Sequence, residues 1–405
     1  MSRIDTNPDK INELLTRSVD TVYPSRGALE EKLKKGEQLR VYMGIDPTSS
    51  YVHLGHTTNY IILRRFHELG HKVVVLVGDF TAMIGDPSDK NAARIRLTKE
   101  EVQKNLKDFK EQIGKILDFS DAKNPVEFRL NSEWLASLTL EKAAELASNF
   151  TVQQMLERDV FEKRIAEKKP LYVHEFFYPL IQGYDSVALS ADVEIGGTDQ
   201  TFNMLAGRTL VERLLHKEKF VITTTLLVNP KTGEKLMSKS QGTGIGLNED
   251  PTAMFGKIMA LPDEGMIQCF IDCTYLPLAE IKALKQNMKK NPKEVKMRLA
   301  REIVAQYHSP LDAEQASDEF NKVFSQGDLP DTMPEITVPY KKTELQILVS
   351  DSGLVSSKSE ARRLIEQGAV EINGTRRGDV SEIVDIENGL TLRIGKHRFV
   401  RVHPS

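Results

Sequence analysis

A chain of 405 residues exceeds what one hydrophobic core usually organises, so two or three domains are expected. Hydrophobic residues at 40% and charged residues at 28% describe an ordinary globular composition, and a net charge of −3 excludes a surface uniformly coated in positive charge for nucleic acid. The longest apolar run, 73–77, is far too short to span a bilayer, and the first residues lack the apolar segment of a signal peptide, so a cytoplasmic protein with no membrane partner is expected.

In chain order, residues 8–36 read as helical, with Ile11, Leu14, Leu15, Val19, Leu29 and Leu33 at apolar positions. Leu39 to Ile45 reads as a buried strand, Thr57 to Leu69 as a helix that Gly70 terminates, and Val73 to Phe80 as a second apolar strand. Strand, helix and strand within so short a span form a parallel crossover unit, which predicts a sheet covered by helices on both faces. Residues 99–119 look like one long solvent-facing helix, and 126–130 like a third strand. Residues 134–170 are helical and charged, and an aromatic-rich helix starts at Val173. A strand from Asp192 runs into a glycine turn, and Phe220 to Val228 is the last strong strand. From Asn248 to Phe324 the pattern is helical throughout, and a connector with Pro330, Pro334 and Pro339 marks a domain boundary. The expected division is therefore 1–247, 248–326, a linker at 327–339, and 340–405.

Chemistry gathers where strands end, the place where open α/β sheets bind ligands. After the first strand come Tyr42, Asp46, Thr48 and the stretch His53-Leu54-Gly55-His56, which opens a helix. A helix N-terminus offers unpaired N–H groups and a positive dipole end, a suitable seat for phosphate. Two histidines at this spacing also fit metal ligation or an ordinary surface, although no Cys or Glu lies in register to complete a zinc site. After the next strand come Thr81, Asp86, Lys90 and Arg94. Tyr178, Gln182 and Asp185 recur at i, i+4 and i+7 and so share a helix face. Gly196, Gly197, Thr198, Asp199 and Gln200 form the glycine turn, and 234–244 is a loop rich in glycine, hydroxyls and lysine that carries Lys235 and Lys239. A Walker loop is absent, as is a GxGxxG turn between strand and helix. Cys269 and Cys273, four apart on a helix, are expected to be reduced core residues.

The HLGH stretch at 53–56 is similar to the HIGH signature, and MSKS at 237–240 to the KMSKS signature, of class I aminoacyl-tRNA synthetases. With YMGIDPT at 42–48, GDPS at 85–88 and GGTDQ at 196–200, the chain resembles bacterial tyrosyl-tRNA synthetases over nearly its whole length. That resemblance implies a Rossmann-like parallel-sheet catalytic domain, a helical domain for the tRNA anticodon region and a small α+β RNA-binding domain. It implies that L-tyrosine and ATP form tyrosyl-adenylate with release of pyrophosphate, after which tRNA(Tyr) takes the aminoacyl group, in a homodimer using Mg2+. By the same resemblance Tyr42 and Asp185 would bond the substrate phenol, and Asp86, Tyr178 and Gln182 its α-amino group. Asp46 and Gln200 would lie near the adenylate, Gly197 and Asp199 at the ribose. Gly55, Thr48, His53, His56, Lys90, Arg94 and Lys239 would surround the triphosphate. Leu236 stands where the signature's first lysine is usual, with Lys235 one position earlier, and Asp89 stands where a glycine is usual. A tryptophan-activating relative, and a non-catalytic RNA-binding protein on the same scaffold, are the alternatives.

The C-terminal part has its own pattern. From Tyr340 onward it carries 11 Lys/Arg against 9 Asp/Glu, whereas the remainder is acidic, a sign suited to nucleic-acid contact. Ser356 or Ser357 can cap a helix with Glu360 following, and Val370 to Ile372 leads into an Asn373-Gly374 turn. The block resembles an RNA-binding module of a small ribosomal-subunit protein, which implies phosphate contacts from Lys358, Arg362, Arg363, Arg376 and Arg377.

Overall fold

Six short strands make the central sheet: β1 (Val19–Tyr23), β2 (Arg40–Ile45), β3 (Lys72–Val77), β4 (Glu127–Leu130), β5 (Val193–Gly197) and β6 (Phe220–Thr224). They lie in the order β1-β6-β5-β2-β3-β4. All neighbours are parallel except β1, which runs antiparallel to β6 at the edge. In β3 five of six residues are buried, as a strand covered on both faces requires. The computed structural model describes residues 4–87, 97–237, 243–322, 333–355, 357–395 and 398–405.

From β2 the chain moves outward through β3 to β4, then returns to lay β5 on the other side of β2. The connections leaving β2 and β5 therefore diverge, and a crevice opens at their C-terminal ends. Helix Leu54–Glu68 crosses from β2 to β3, and Leu54, Tyr60, Ile61, Ile62, Leu63 and Phe66 are buried. Helices Val173–Ala188 and Thr201–Leu215 flank β5 in the chain. They pack closely because both carry glycine at the contact: a Cβ on Gly183 would lie 3.1 Å from the Gly207 nitrogen.

Two expectations need correction. Residues 8–36 are not helical throughout, because β1 separates helices Pro8–Leu14 and Arg26–Lys34. The apolar spacing through Val19 suggested a helix, but β-branched Val19, Thr21 and Val22 followed by Tyr23-Pro24 favour extended backbone, and β6 provides the partner. Residues 99–119 form two helices, Lys99–Leu106 and Phe109–Gly114, and the second buries Phe109, Gln112 and Ile113. After β6, helices Pro251–Met259, Met266–Cys273, Leu278–Asn287, Pro292–Tyr307 and Pro310–Asn321 follow, in keeping with the helical pattern. Cys269 and Cys273 are buried free thiols.

The chain divides into two compact units, 1–313 and 314–405. In the second, β7 (Glu335–Val338), β8 (Lys342–Glu344), β9 (Val370–Ile372), β10 (Thr375–Arg377), β11 (Ile383–Asp385), β12 (Leu390–Ile394) and β13 (Arg398–Pro404) surround helices Leu345–Asp351 and Lys358–Glu366. The larger sheet has the order β10-β9-β12-β13-β7 and β8 pairs with β11. Leu345, Leu348, Ile365, Val370, Leu392 and Val402 are central to this unit's own core.

Candidate active site

The turn after β2 is held by its own histidines. His53 caps helix Leu54–Glu68, its Nδ1 accepting the Gly55 N–H at 3.1 Å, while His56 Nδ1 accepts the His53 N–H at 3.2 Å. This is a reciprocal capping box made from two imidazoles. The rings stack with centroids 3.7 Å apart and planes 22° from parallel. Because each Nδ1 accepts, each Nε2 carries the proton, so both rings are neutral and present an N–H donor edge. Gly55 is required here: a Cβ would lie 3.0 Å from the His53 ring and 3.1 Å from Met237.

Both flanks of the lysine loop meet this turn. Met237 reaches Gly55 from one side, and on the other Leu54 N–H donates to the Ile245 carbonyl and Leu247 N–H to that of Val52, each at 2.9 Å. Lys239, Lys90 and Arg94 lie outside the described residues. Thr48 is exposed, its N–H donating to the Asp46 carbonyl at 2.8 Å.

Asp46, half-buried, sits between the strand ends. Its Oδ1 accepts from Thr81 Oγ1 at 2.7 Å and its Oδ2 from Tyr178 Oη at 2.8 Å. Burial pushes its carboxyl up to about 7 despite these two bonds, which favour the ionised form. Gly78 makes room for it, since a Cβ there would lie 2.0 Å from Asp46 Oδ1 and 2.2 Å from Thr81 Oγ1. Asp86 receives Arg158 Nη2 at 3.1 Å and Gln200 Nε2 at 2.6 Å.

Tyr178, Gln182 and Asp185 do share a face, and each meets a different group. Tyr178 bonds Asp46, Gln182 Nε2 donates to Glu194 Oε1 at 3.4 Å, and Asp185 accepts Trp134 Nε1 at 2.8 Å and Asn131 Nδ2 at 3.2 Å. Tyr42 is 1% and Asp185 3% exposed. The Tyr42 hydroxyl lies 2.7 Å from Ser186 Oγ. Burial holds Asp185 well above the ordinary carboxylate range, with Trp134 and Asn131 opposing, and burial next to Glu194 and Asp185 raises the Tyr42 phenol.

At the end of β5, a Cβ on Gly197 would lie 2.6 Å from Asp199 Oδ1. Asp199 accepts Lys235 Nζ at 3.1 Å in a pair exposed to solvent. Leu236 is 7% exposed and packs so tightly on Gly265 that a Cβ there would lie 2.4 Å from its Cδ1. The lost lysine of the signature is thus an apolar anchor, and the neighbouring charge meets Asp199.

Sequence reasoning missed Arg158, Asn131, Trp134, Ser186, Glu194 and Lys219. Glu194 did carry a signal, as an acidic residue inside an otherwise apolar buried strand. In the second unit Ser357 caps helix Lys358–Glu366 through the Glu360 N–H. Lys358, Arg362, Arg363 and Arg376 are exposed, whereas Arg377 is half-buried against Glu382 at 2.7 Å.

The model of class I tRNA synthetases (W and Y) matches residues 34–325, and that of the S4 domain residues 345–388. The chain is 47% identical over 399 residues to a tyrosine–tRNA ligase of Moorella thermoacetica, covering 96% of this chain and 95% of that one. It is 46% identical over 390 residues to one of Mannheimia succiniciproducens, covering 96% and 97%. Among solved structures it is similar to a truncated mitochondrial tyrosyl-tRNA synthetase of Aspergillus nidulans, with TM-score 0.65, 21% identity, and 78% and 94% of the two chains covered. It is also similar to a tyrosyl-tRNA synthetase of Archaeoglobus fulgidus complexed with L-tyrosine, with TM-score 0.60, 22% identity, and 77% and 100% covered.

Proposed function

The chain belongs to the class I tRNA synthetase family of tyrosine and tryptophan enzymes, and from that we propose how its residues divide the work of charging tRNA. The reaction is ATP-dependent ligation of tyrosine to tRNA. Likeness to tyrosine enzymes across 96% of the chain carries this reading, and the buried Tyr42 hydroxyl and Asp185 carboxyl support it. A phenylalanine ring forfeits the phenol's bonds to Tyr42 and Asp185 and leaves part of their buried hydrogen-bonding capacity unused, which penalises it.

Tyr42 and Asp185 read the phenol, and Asp86, Tyr178 and Gln182 hold the α-ammonium, with Gln200 fixing Asp86 and facing the adenylate. The tyrosine carboxylate attacks the α-phosphate of ATP, a step that needs in-line positioning and donors placed where charge develops. The Nε2–H edges of His53 and His56 serve that purpose at the helix N-terminus, where Gly55 admits the nucleotide, joined by Thr48, Lys90, Arg94 and Lys239. Asp46, Gly197 and Asp199 hold the nucleoside, and Lys235 leaves Asp199 when the ribose arrives. Mg2+ carried on the ATP phosphates would offset the charge of the leaving pyrophosphate.

Functionally the chain divides into a catalytic part at 1–247, a helical anticodon-region part at 248–326, a linker at 327–339 and an RNA-binding part at 340–405. Lys358, Arg362, Arg363, Arg376 and Arg377 meet tRNA phosphates. The active form is a homodimer, to which the exposed Leu140, Val152, Tyr172 and Val173 contribute apolar surface. No helix among the described residues is long and apolar enough to cross a membrane, and the site of action is the cytoplasm.

Pyrophosphate exchange measured with each of the twenty amino acids tests the reading. Tyrosine alone should support exchange and tRNA charging; preference for tryptophan, or no exchange, would overturn it. Deletion from residue 340 should weaken charging and leave exchange intact. Light scattering should give the mass of two chains, and Val173→Asp the mass of one.

A further inference from the structure

Behind Tyr42, linked to it through Ser186, lies an ion pair with no part in the chemistry described so far. Glu194 on β5 is the register partner of Tyr42 on β2. Lys219, which precedes β6, donates to Glu194 Oε2 and, at 3.1 Å, to the Met204 carbonyl. Lys219 and Ser186 are 0% and Glu194 2% exposed. The fold makes room for them, since a Cβ on Gly207 would lie 2.7 Å from both Lys219 Nζ and Ser186 Oγ. Two buried charges are a poor source of stability, because apolar residues of similar volume serve as well or better.

The pair acts through the hydrogen bonds it makes. Glu194 Oε2 accepts from Lys219 and Oε1 from Gln182, the pattern of a carboxylate paired with an ammonium. Ser186 has a single hydroxyl proton and donates it to Glu194 Oε2 at 3.3 Å. With that proton used, the 2.7 Å contact between Ser186 Oγ and Tyr42 Oη, which either hydroxyl can donate, falls to Tyr42. With its proton committed inward, the Tyr42 hydroxyl offers only lone pairs to the pocket.

We propose that Lys219, Glu194 and Ser186 are positioning residues that fix the Tyr42 hydroxyl as an acceptor, so that the substrate phenol donates its proton to Tyr42. This rests on the tyrosine-activating reading above. It assigns to three residues outside the pocket a share of the discrimination between tyrosine and phenylalanine.

The test is the dependence of KM on substrate phenol acidity, read with tyrosine and ring-fluorinated tyrosines in pyrophosphate exchange, at a pH where every phenol stays protonated. In the wild type, KM should fall as the phenol becomes a stronger donor, and Tyr42→Phe should flatten that dependence. In Glu194→Gln the amide donates to Ser186, which turns the Tyr42 hydroxyl outward. The dependence should then reverse, and discrimination against phenylalanine should fall about tenfold. Should Glu194→Gln fold poorly, the double variant Glu194→Gln with Lys219→Met strands no charge and should show the same reversal. A steeper dependence in Tyr42→Phe, or an unchanged one in both Glu194 variants, would overturn the proposal. Absence of exchange with tyrosine in the wild type would instead overturn the functional reading beneath it.

Discussion

The two ends of the proposed site, one for the phenol and one for the phosphates, are built by different means. At the phenol end Tyr42, Asp185, Ser186, Glu194 and Lys219 are all at most 3% exposed, stand on or beside regular elements, and are tied by hydrogen bonds, Asp185 to Trp134 and Asn131 and the other four to one another. At the phosphate end the groups are a capped helix turn, Thr48 on an exposed turn and the flanks of a loop. Recognition of one hydroxyl calls for hydrogen bonds set in advance with no tolerance for rearrangement, so it is placed where packing forbids movement. Charge developing on a triphosphate can be met by donors on turns and loop ends, provided that backbone geometry aims them.

The largest change should come from removing a donor at the phosphate end. His53→Asn preserves a helix cap, and His56→Asn keeps a polar side chain at its position. Either should lower kcat for exchange by about 100- to 1,000-fold with the KM for tyrosine unchanged, since donors facing developing charge act mainly in the transition state. A rise in tyrosine KM with kcat intact would show that the two ends are not separate. Gly78→Ala tests the junction between them. Its Cβ would intrude to 2.0 Å of Asp46, and displacement of that carboxylate should reduce kcat/KM about 100-fold for both tyrosine and ATP. Loss confined to one substrate would place Asp46 wholly at that end.

A smaller effect should appear as pH dependence. The Asp46 pKa is raised from 3.8 to about 7, so the folded state binds more protons than the unfolded state between those values, and stability falls as pH rises through them. Denaturation of Asp46→Asn alongside the wild type should therefore show a relative gain for the variant from about pH 4 to 7 and a plateau above. At about 1.4 kcal/mol per pKa unit the gain is a few kcal/mol. A gain that instead grows toward low pH would contradict a carboxyl raised by burial. The smallest effect belongs to Lys235→Met, which breaks a solvent-exposed pair with Asp199 and should shift stability by less than about 1 kcal/mol. Its informative readout is KM for ATP, which should change without any change in KM for tyrosine.

These two ends also differed in how plainly the sequence announced them. The phosphate turn was legible because its parts are contiguous: an apolar strand, a turn, two histidines around a glycine and an amphipathic helix follow within one stretch. The Tyr178, Gln182 and Asp185 face was legible because helical spacing is a local property. By contrast, Glu194 and Lys219 are separated by the whole of helix Thr201–Leu215, and Trp134 and Asn131 approach Asp185 from another part of the chain. No spacing rule joins them. The misreading of β1 has the same origin, since its pairing with β6 spans some 200 residues and overrides a local apolar rhythm. Most parallel strands were legible because burial on both faces writes a continuous apolar run.

The buried pair under Tyr42 also bears on how the enzyme's amino-acid preference can drift. Neutralising Lys219 or Glu194 alone strands the other charge in the core, at about 3–5 kcal/mol, whereas exchanging both together is close to neutral. Each residue's tolerance thus depends on its partner's identity, and Gly207 extends the dependence because any larger residue there intrudes on Lys219 and Ser186. Retooling this pocket for another side chain is therefore a problem of epistasis: single substitutions lead downhill, and only concerted ones reach a working alternative.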